Sequence, residues 1–131
     1  MQDSIFTKII KGEIPSHKVY EDDKTLAFLD IHPITEGHVL VVPKVQVEFV
    51  WDLPDEDYQA LMATVQKVGR RLREVSGRPY VSIRTVGTDV PHAHVHLIPF
   101  SATSDLRRDP DLNAEPDHEA LAAVVDRIRL S

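Results

Sequence analysis

Apolar and polar positions follow different periods along the chain, and the changes of period mark out its elements. Ser4 stands before Ile5, Phe6, Ile9 and Ile10, whose spacing predicts a short capped helix that Gly12 stops. Pro15 then sets an extended exit. Val19-Tyr20 and Thr25-Leu26-Ala27-Phe28-Leu29 flank the charged turn Glu21-Asp22-Asp23-Lys24, a hairpin pattern without an Asn-Gly turn. Pro33 and Gly37 interrupt the chain before His38-Val39-Leu40-Val41-Val42-Pro43, which reads as a short strand buried on both faces. Leu53-Pro54-Asp55-Glu56-Asp57 opens the longest helix, continued by Leu61, Val65, Val68, Leu72 and Val75 and stopped by Gly77. Tyr80 to Val86 and Val90 to Pro99 read as two further strands, separated at Gly87. Residues 101–116 are polar and rich in Asp and Pro, and are expected to form a mobile loop. Leu121, Val124, Val125 and Ile128 then predict a C-terminal helix over 117–130. With no internal repeat and no boundary, residues 1–131 are expected to form a single domain. The order of elements predicts an α+β fold, an antiparallel sheet with packed helices.

Composition narrows the function. The chain is 42% apolar and 27% charged, with a formal net charge of −6. That balance disfavours non-specific nucleic-acid binding, which needs Lys and Arg to neutralise phosphates. No apolar run approaches the roughly 18 residues of a membrane span, so no membrane partner is expected. The start, Met1-Gln2-Asp3-Ser4, lacks a basic region ahead of a hydrophobic one and does not read as a secretory signal. The absence of cysteine removes thiolate chemistry and cysteine metal sites, and fits a reducing compartment. The expected location is the cytoplasm.

Three of the chain's 7 histidines fall within five positions, His92-Ala93-His94-Val95-His96. On a strand, the odd positions Pro91, Ala93, Val95, Leu97 and Pro99 would share an apolar face, and the three imidazoles would share the other. A lone histidine is usually a satisfied polar group near a core; three aligned ones are not. A metal site is one reading. His92 and His96 would start about 13 Å apart at a rise of ~3.3 Å per residue, which strains chelation by the outer pair. Two of the three with another ligand would remain. The other reading is a wall for an anionic substrate. One neutral imidazole attacks phosphorus, and its neighbours hold phosphate oxygens and protonate the leaving group.

His92-Ala93-His94-Val95-His96-Leu97-Ile98 resembles the motif of the histidine triad family. Three further blocks resemble that family in order: Ile5 to Pro15, Val19-Tyr20-Glu21-Asp22-Asp23 with Leu26 to Ile31, and Gly37 to Lys44. Together they cover residues 4 to 99. The resemblance implies a histidine-triad-like fold, a nucleotide cleft, a homodimer, and hydrolysis or transfer at the α-phosphate of a small-molecule nucleotide with no cofactor. It implies that His94 is the nucleophile and becomes transiently nucleotidylated. His96 would contact phosphate and leaving group, His92 would help to orient the nucleophile, and His38 would be a fourth active-site histidine. Asp30 would accept from the ribose hydroxyls. Phe6, Ile9, Phe28, Leu29 and Ile31 would form the base pocket. His17, His32 and His118 match nothing catalytic and are expected at the surface.

The chain also departs from the family pattern. The stretch Thr85-Val86-Gly87-Thr88-Asp89-Val90-Pro91 is shorter than in many members and lacks their Asn, Gln and Ser donors. Thr85 and Thr88 are the residues expected to replace them at phosphate. Asp89 brings negative charge toward that position, and Gln46 stands where many members have another histidine. The leading expectation is a nucleoside phosphoramidate or dinucleoside polyphosphate hydrolase. The alternatives are a nucleotide-binding regulatory module with negligible turnover and a metal-binding protein built on the three histidines.

Overall fold

The computed structural model describes residues 2–130. Its elements run α1 (Ile5–Ile10), β1 (Lys18–Glu21), β2 (Thr25–Leu29), β3 (Val39–Pro43), α2 (Asp55–Val75), β4 (Tyr80–Arg84), β5 (Val95–Phe100) and α3 (His118–Ile128). The five strands form one antiparallel sheet in the order β1-β2-β3-β5-β4. The expected α+β class is the observed one. Among the described residues, no helix is long and apolar enough to cross a membrane.

The sheet separates two environments. Ala27 and Leu29 of β2, Val39 and Val41 of β3, and Val95 and Leu97 of β5 share a face. They pack on Leu61, Val65, Val68 and Leu72 of α2 and on Leu121, Val124, Val125 and Ile128 of α3. The alternate residues Leu26, Phe28, Leu40 and Val42 turn to the other face, where Phe6 and Ile9 of α1 cover them, with Ile10, Ile14 and Val90 partly buried beside them. β2 and β3 are therefore buried on both faces for two reasons: a full helical layer on one side and a single short helix on the other. That second cover is partial, and the gap beside it is where a cleft can form.

The register carries this partition across the sheet. Phe28 pairs with Leu40, Leu40 with His96, and His96 with Arg84, so these four side chains make one row on the α1 side. β2 and β3 end at the pair Leu29–Val39, and just beyond it the Asp30 N–H donates to the His38 carbonyl at 2.9 Å. Asp30 and His38 thus face each other at the mouth of the hairpin. Gly37 makes that geometry available: its φ is +91°, which side chains disfavour, and an added Cβ would lie 3.4 Å from Pro99.

Two expected strands are corrected. The last one begins at Val95, not Val90. Pro91 has no N–H, the His92 N–H turns back to Val90 O at 2.8 Å, and the Ala93 N–H goes to Val47 O at 2.7 Å. With those donors committed, residues 90–94 do not join a ladder. The strand expected over Tyr80 to Val86 ends at Arg84, on the sheet edge, with Ile83 63% exposed. The segment 101–116 contains a short 3-10 helix, Thr103–Arg107, tied down where Asp105 accepts from the Ser101 and Ala102 N–H groups and pairs with Arg78.

Leu97 is 1% exposed at the centre of the helix-covered face. Leu97→Ala is expected to lower unfolding stability by about 2–5 kcal/mol, read as a drop in the urea midpoint at unchanged slope.

Candidate functional site

A cleft of about 280 Å³ opens on the α1 side of the sheet. Phe6 and Ile9 come from α1, Phe28 and Leu29 from β2, Asp30 and Ile31 from the turn after it, and His94 and His96 from the triad segment. All eight were expected from sequence, and the structure brings them together. Phe6 meets Phe28 edge to face at 5.6 Å between centroids, and meets His94 similarly at 5.0 Å. His94 in turn lies edge-on to His96 at 5.1 Å. One end of the cleft is therefore aromatic and apolar, and the other is lined by imidazole and carboxylate.

Hydrogen bonds define which nitrogen of each ring carries a proton. The Ile34 N–H donates to Nδ1 of His38 at 3.1 Å, so neutral His38 holds its proton on Nε2. That Nε2–H donates to Nδ1 of His96 at 2.9 Å. Neutral His96 consequently carries its proton on Nε2. The loop that presents the Ile34 N–H is pinned by the Thr35 hydroxyl donating to Pro99 O at 2.6 Å and by Arg108 donating to Ile34 O at 3.0 Å.

His94 is oriented by backbone. Its Nδ1–H donates to the His92 carbonyl at 2.7 Å, which in the neutral ring leaves the lone pair on Nε2. The His92 side chain lies on the same α1 side, edge to face with Phe6 at 5.9 Å, but does not line the cleft. It is fully buried, its Nε2–H donates to Pro43 O at 2.8 Å, and its Nδ1 accepts from the Ser4 hydroxyl at 2.8 Å. The three imidazoles thus lie on one side of the sheet, but their parts differ: His94 and His96 line the cleft, and His92 anchors beneath α1.

Burial dominates the electrostatics. It pushes His38 down to about 3, with the nearby His96 and Arg84 adding to the effect. It pushes His96 down to about 4, helped by His94 and Arg84 and opposed by Asp89. His92 is also lowered by burial. Asp30 is raised by burial, partly offset by the His32 N–H that donates to its Oδ1 at 2.8 Å. Its Oδ2 lies 3.6 Å from Nε2 of His38.

Asp30, His38 and His96 bring three ligand-type atoms within 4.8 Å of one another. Nε2 of His38 holds a proton as long as Nδ1 accepts from Ile34, so this trio is a hydrogen-bonding set in the form described. A chelate of His92, His94 and His96 is not formed, because His92 points to Ser4 and Pro43.

The remaining expected residues lie elsewhere. Thr85 donates its hydroxyl to His94 O at 2.7 Å, and lines a smaller depression with Val86 and Trp51 rather than the cleft. Thr88 is exposed and reaches only Asp89, at 3.5 Å. Asp89 and Val90 do line the cleft. His17 and His118 stack on each other with nitrogens 3.0 Å apart, and His32 donates to Ala114 O at 3.0 Å. Leu40, Ile14 and Ser16 line the cleft and were not foreseen. For Leu40 the signal was present: the period-two alternation of β3 places it opposite the core face of Val39 and Val41.

A family model described as HIT domain matches residues 11–103. The Bacillus subtilis protein called Protein hit is 42% identical over 111 residues, covering 79% of this chain and 75% of the relative. An adenosine 5'-monophosphoramidase of Candida albicans is 40% identical over 104 residues, covering 72% of this chain and 68% of the relative. The crystal structure of a Hit-like protein from Bartonella henselae superposes with a TM-score of 0.85 at 30% identity, over 97% of this chain and 94% of that one.

Stability is expected to fall as pH drops below about 6.5. The unfolded chain binds protons at histidine near 6.5, whereas folded His38 and His96 bind them only near 3 and 4. The unfolded state therefore holds more protons throughout that window, and acid favours it; His17 and His92, also lowered, act in the same direction. Asp30, raised from 3.8, opposes the trend just above that value. Urea midpoints measured from pH 8 to 4 check this, and His96→Asn should flatten the slope.

Proposed function

The chain belongs to the histidine triad family, and we propose that it is a nucleotide hydrolase or transferase acting at the α-phosphate, through a covalent nucleotidyl-His94 intermediate. The substrate class is a nucleoside phosphoramidate or dinucleoside polyphosphate. The name of the Candida albicans relative supports the former. The observation that carries the reading is the 2.7 Å bond from His94 Nδ1–H to the His92 carbonyl, which leaves Nε2 as the nucleophilic nitrogen in a ring lining the cleft.

In this reading the base lies against Phe6, Ile9, Phe28, Leu29 and Ile31, and the ribose hydroxyls donate to Asp30. His94 Nε2 forms a bond to phosphorus as the bond to the leaving nitrogen or oxygen breaks. His96 presents Nε2–H to that atom. The bound phosphate anion favours the imidazolium form of His96, and its proton passes to the leaving group. The Asp30 carboxylate, 3.6 Å from His38 Nε2, is the acceptor available to that N–H once Nδ1 of His96 is also protonated. Water then attacks the nucleotidyl-His94, neutral His96 takes its proton, and His94 departs in its original tautomer. Thr85 acts on the segment through the His94 carbonyl rather than on phosphate.

Asp89 at the cleft supports the second reading, a nucleotide-binding module with negligible turnover, because its charge opposes a phosphate beside His96. Steady-state release of AMP from adenosine 5'-phosphoramidate separates the two. Appreciable turnover is expected, with a nucleotide adduct in the intact mass after an alkaline quench. His94→Ala should abolish the adduct and lower turnover by more than about a thousandfold. Turnover surviving that substitution would sink the mechanism.

We also propose a homodimer formed along the free edge of β4. Tyr80 and Ile83 are 56% and 63% exposed there, beside Val86 and Trp51 at 55% and 82%. Light scattering should give twice the chain mass, and Ile83→Lys should shift it toward the monomer.

A further inference from the structure

Under α1, four polar side chains from three separate parts of the chain close on one another. Gln46 Oε1 accepts from the Ser4 N–H at 2.8 Å and from the Thr7 hydroxyl at 2.6 Å, while its Nε2–H donates to Gln2 O at 2.9 Å. The Ser4 hydroxyl accepts from the Thr7 N–H at 3.0 Å and donates to Nδ1 of His92 at 2.8 Å. His92 Nε2–H completes the set on Pro43 O. Each of these donors has an acceptor, in a place where Ser4 is 5% exposed and His92 is 0% exposed. A lost partner here leaves a buried polar atom unsatisfied.

The cluster ends at the nucleophile. The peptide unit between His92 and Ala93 is held from both sides: its N–H donates to Val47 O at 2.7 Å, and its carbonyl accepts from His94 Nδ1 at 2.7 Å. Val47 directly follows Gln46, and Pro43, which holds the His92 ring, begins the same segment. Residues 43–47 therefore grip the His92–Ala93 unit through its ring, its backbone and, by way of α1, through Gln46. The carbonyl that selects the His94 tautomer can shift only if this grip loosens.

We propose that Ser4, Thr7 and Gln46 are positioning residues for His94. They hold the His92 ring in its Nε2–H tautomer and thereby aim the His92 carbonyl at His94 Nδ1. This rests on the reading of His94 as the nucleophile, although its structural half is testable without any substrate. None of the three lines the cleft, so their influence falls on the rate of attack more than on nucleotide affinity.

The test uses Ser4→Ala, Thr7→Val, Gln46→Leu and Thr7→Ser in the full chain. Ring nitrogen NMR of the unliganded protein reports the tautomers of His92 and His94. Single-turnover transfer from adenosine 5'-phosphoramidate reports the attack, and AMP titration reports affinity. The expected result is a single Nδ1–H tautomer of His94 in the parent chain and a mixture in the first three variants. Their transfer rates should fall about 10- to 100-fold, with AMP affinity changed by less than about threefold. Thr7→Ser, which keeps the hydroxyl, should restore both tautomer and rate. Folded variants with an unchanged His94 tautomer and a rate within about twofold of the parent would overturn the proposal, as would equal losses of rate and affinity. If Ser4→Ala does not fold, Thr7→Val and Gln46→Leu carry the test. If the parent turns over no nucleotide, the proposed function fails, and the tautomer measurement still decides the positioning role.

Discussion

One backbone N–H, that of Ile34, donates to Nδ1 of His38, and the direction of the protons in the cleft follows from it. A carbonyl at that position would have reversed the tautomer of His38, and with it that of His96. Because an N–H stands there, His38 offers Nε2–H to His96, and His96 offers Nε2–H outward. Burial keeps both rings neutral at ordinary pH, so the order of donors is maintained without a charged residue to enforce it. On the facing side, the His92 carbonyl does the converse for His94, taking the Nδ1 proton and leaving Nε2 as a base. Two adjacent imidazoles thus present opposite chemistry, one a donor set through the His38 ring and one a lone pair set by a backbone carbonyl.

The sheet makes this arrangement affordable by assigning stability and chemistry to different faces. Two helices cover one face with aliphatic side chains at close packing. The other face is covered by a six-residue helix, which buries Phe6 and Ile9, with Ile14 and Val90 beside it, and the row from Phe28 through Leu40 to His96 is left beside a cleft. The buried polar groups on this side are not left without partners. Thr35, Arg108 and the Ser4–Thr7–Gln46–His92 cluster supply hydrogen bonds to the loops that carry the histidines. A site built from loops gains rigidity that its secondary structure does not provide.

The amino-acid sequence was sufficient for much of this. Its periodicities identified the three helices and the central strands, because the residues that must face a core recur at the spacing of the element that bears them. The compositional oddity of His92, His94 and His96, together with the ordered blocks that resemble the histidine triad family, pointed to a cleft containing Phe6, Phe28, Asp30, His94 and His96. What local spacing could not supply was the partner of each backbone N–H. Strand alternation assumed a ladder through His92, but Ala93 donates to Val47, 46 residues earlier, and the ladder begins only at Val95. For the same reason Thr85 and Thr88 read as phosphate donors, while the fold directs Thr85 to the His94 carbonyl and leaves Thr88 in solvent. Sequence by itself determined which residues are candidates for the chemistry and which faces are apolar. Tertiary structure alone decided where each proton sits, because a histidine tautomer is chosen by whichever backbone or side-chain group the fold brings within about 3 Å of the ring.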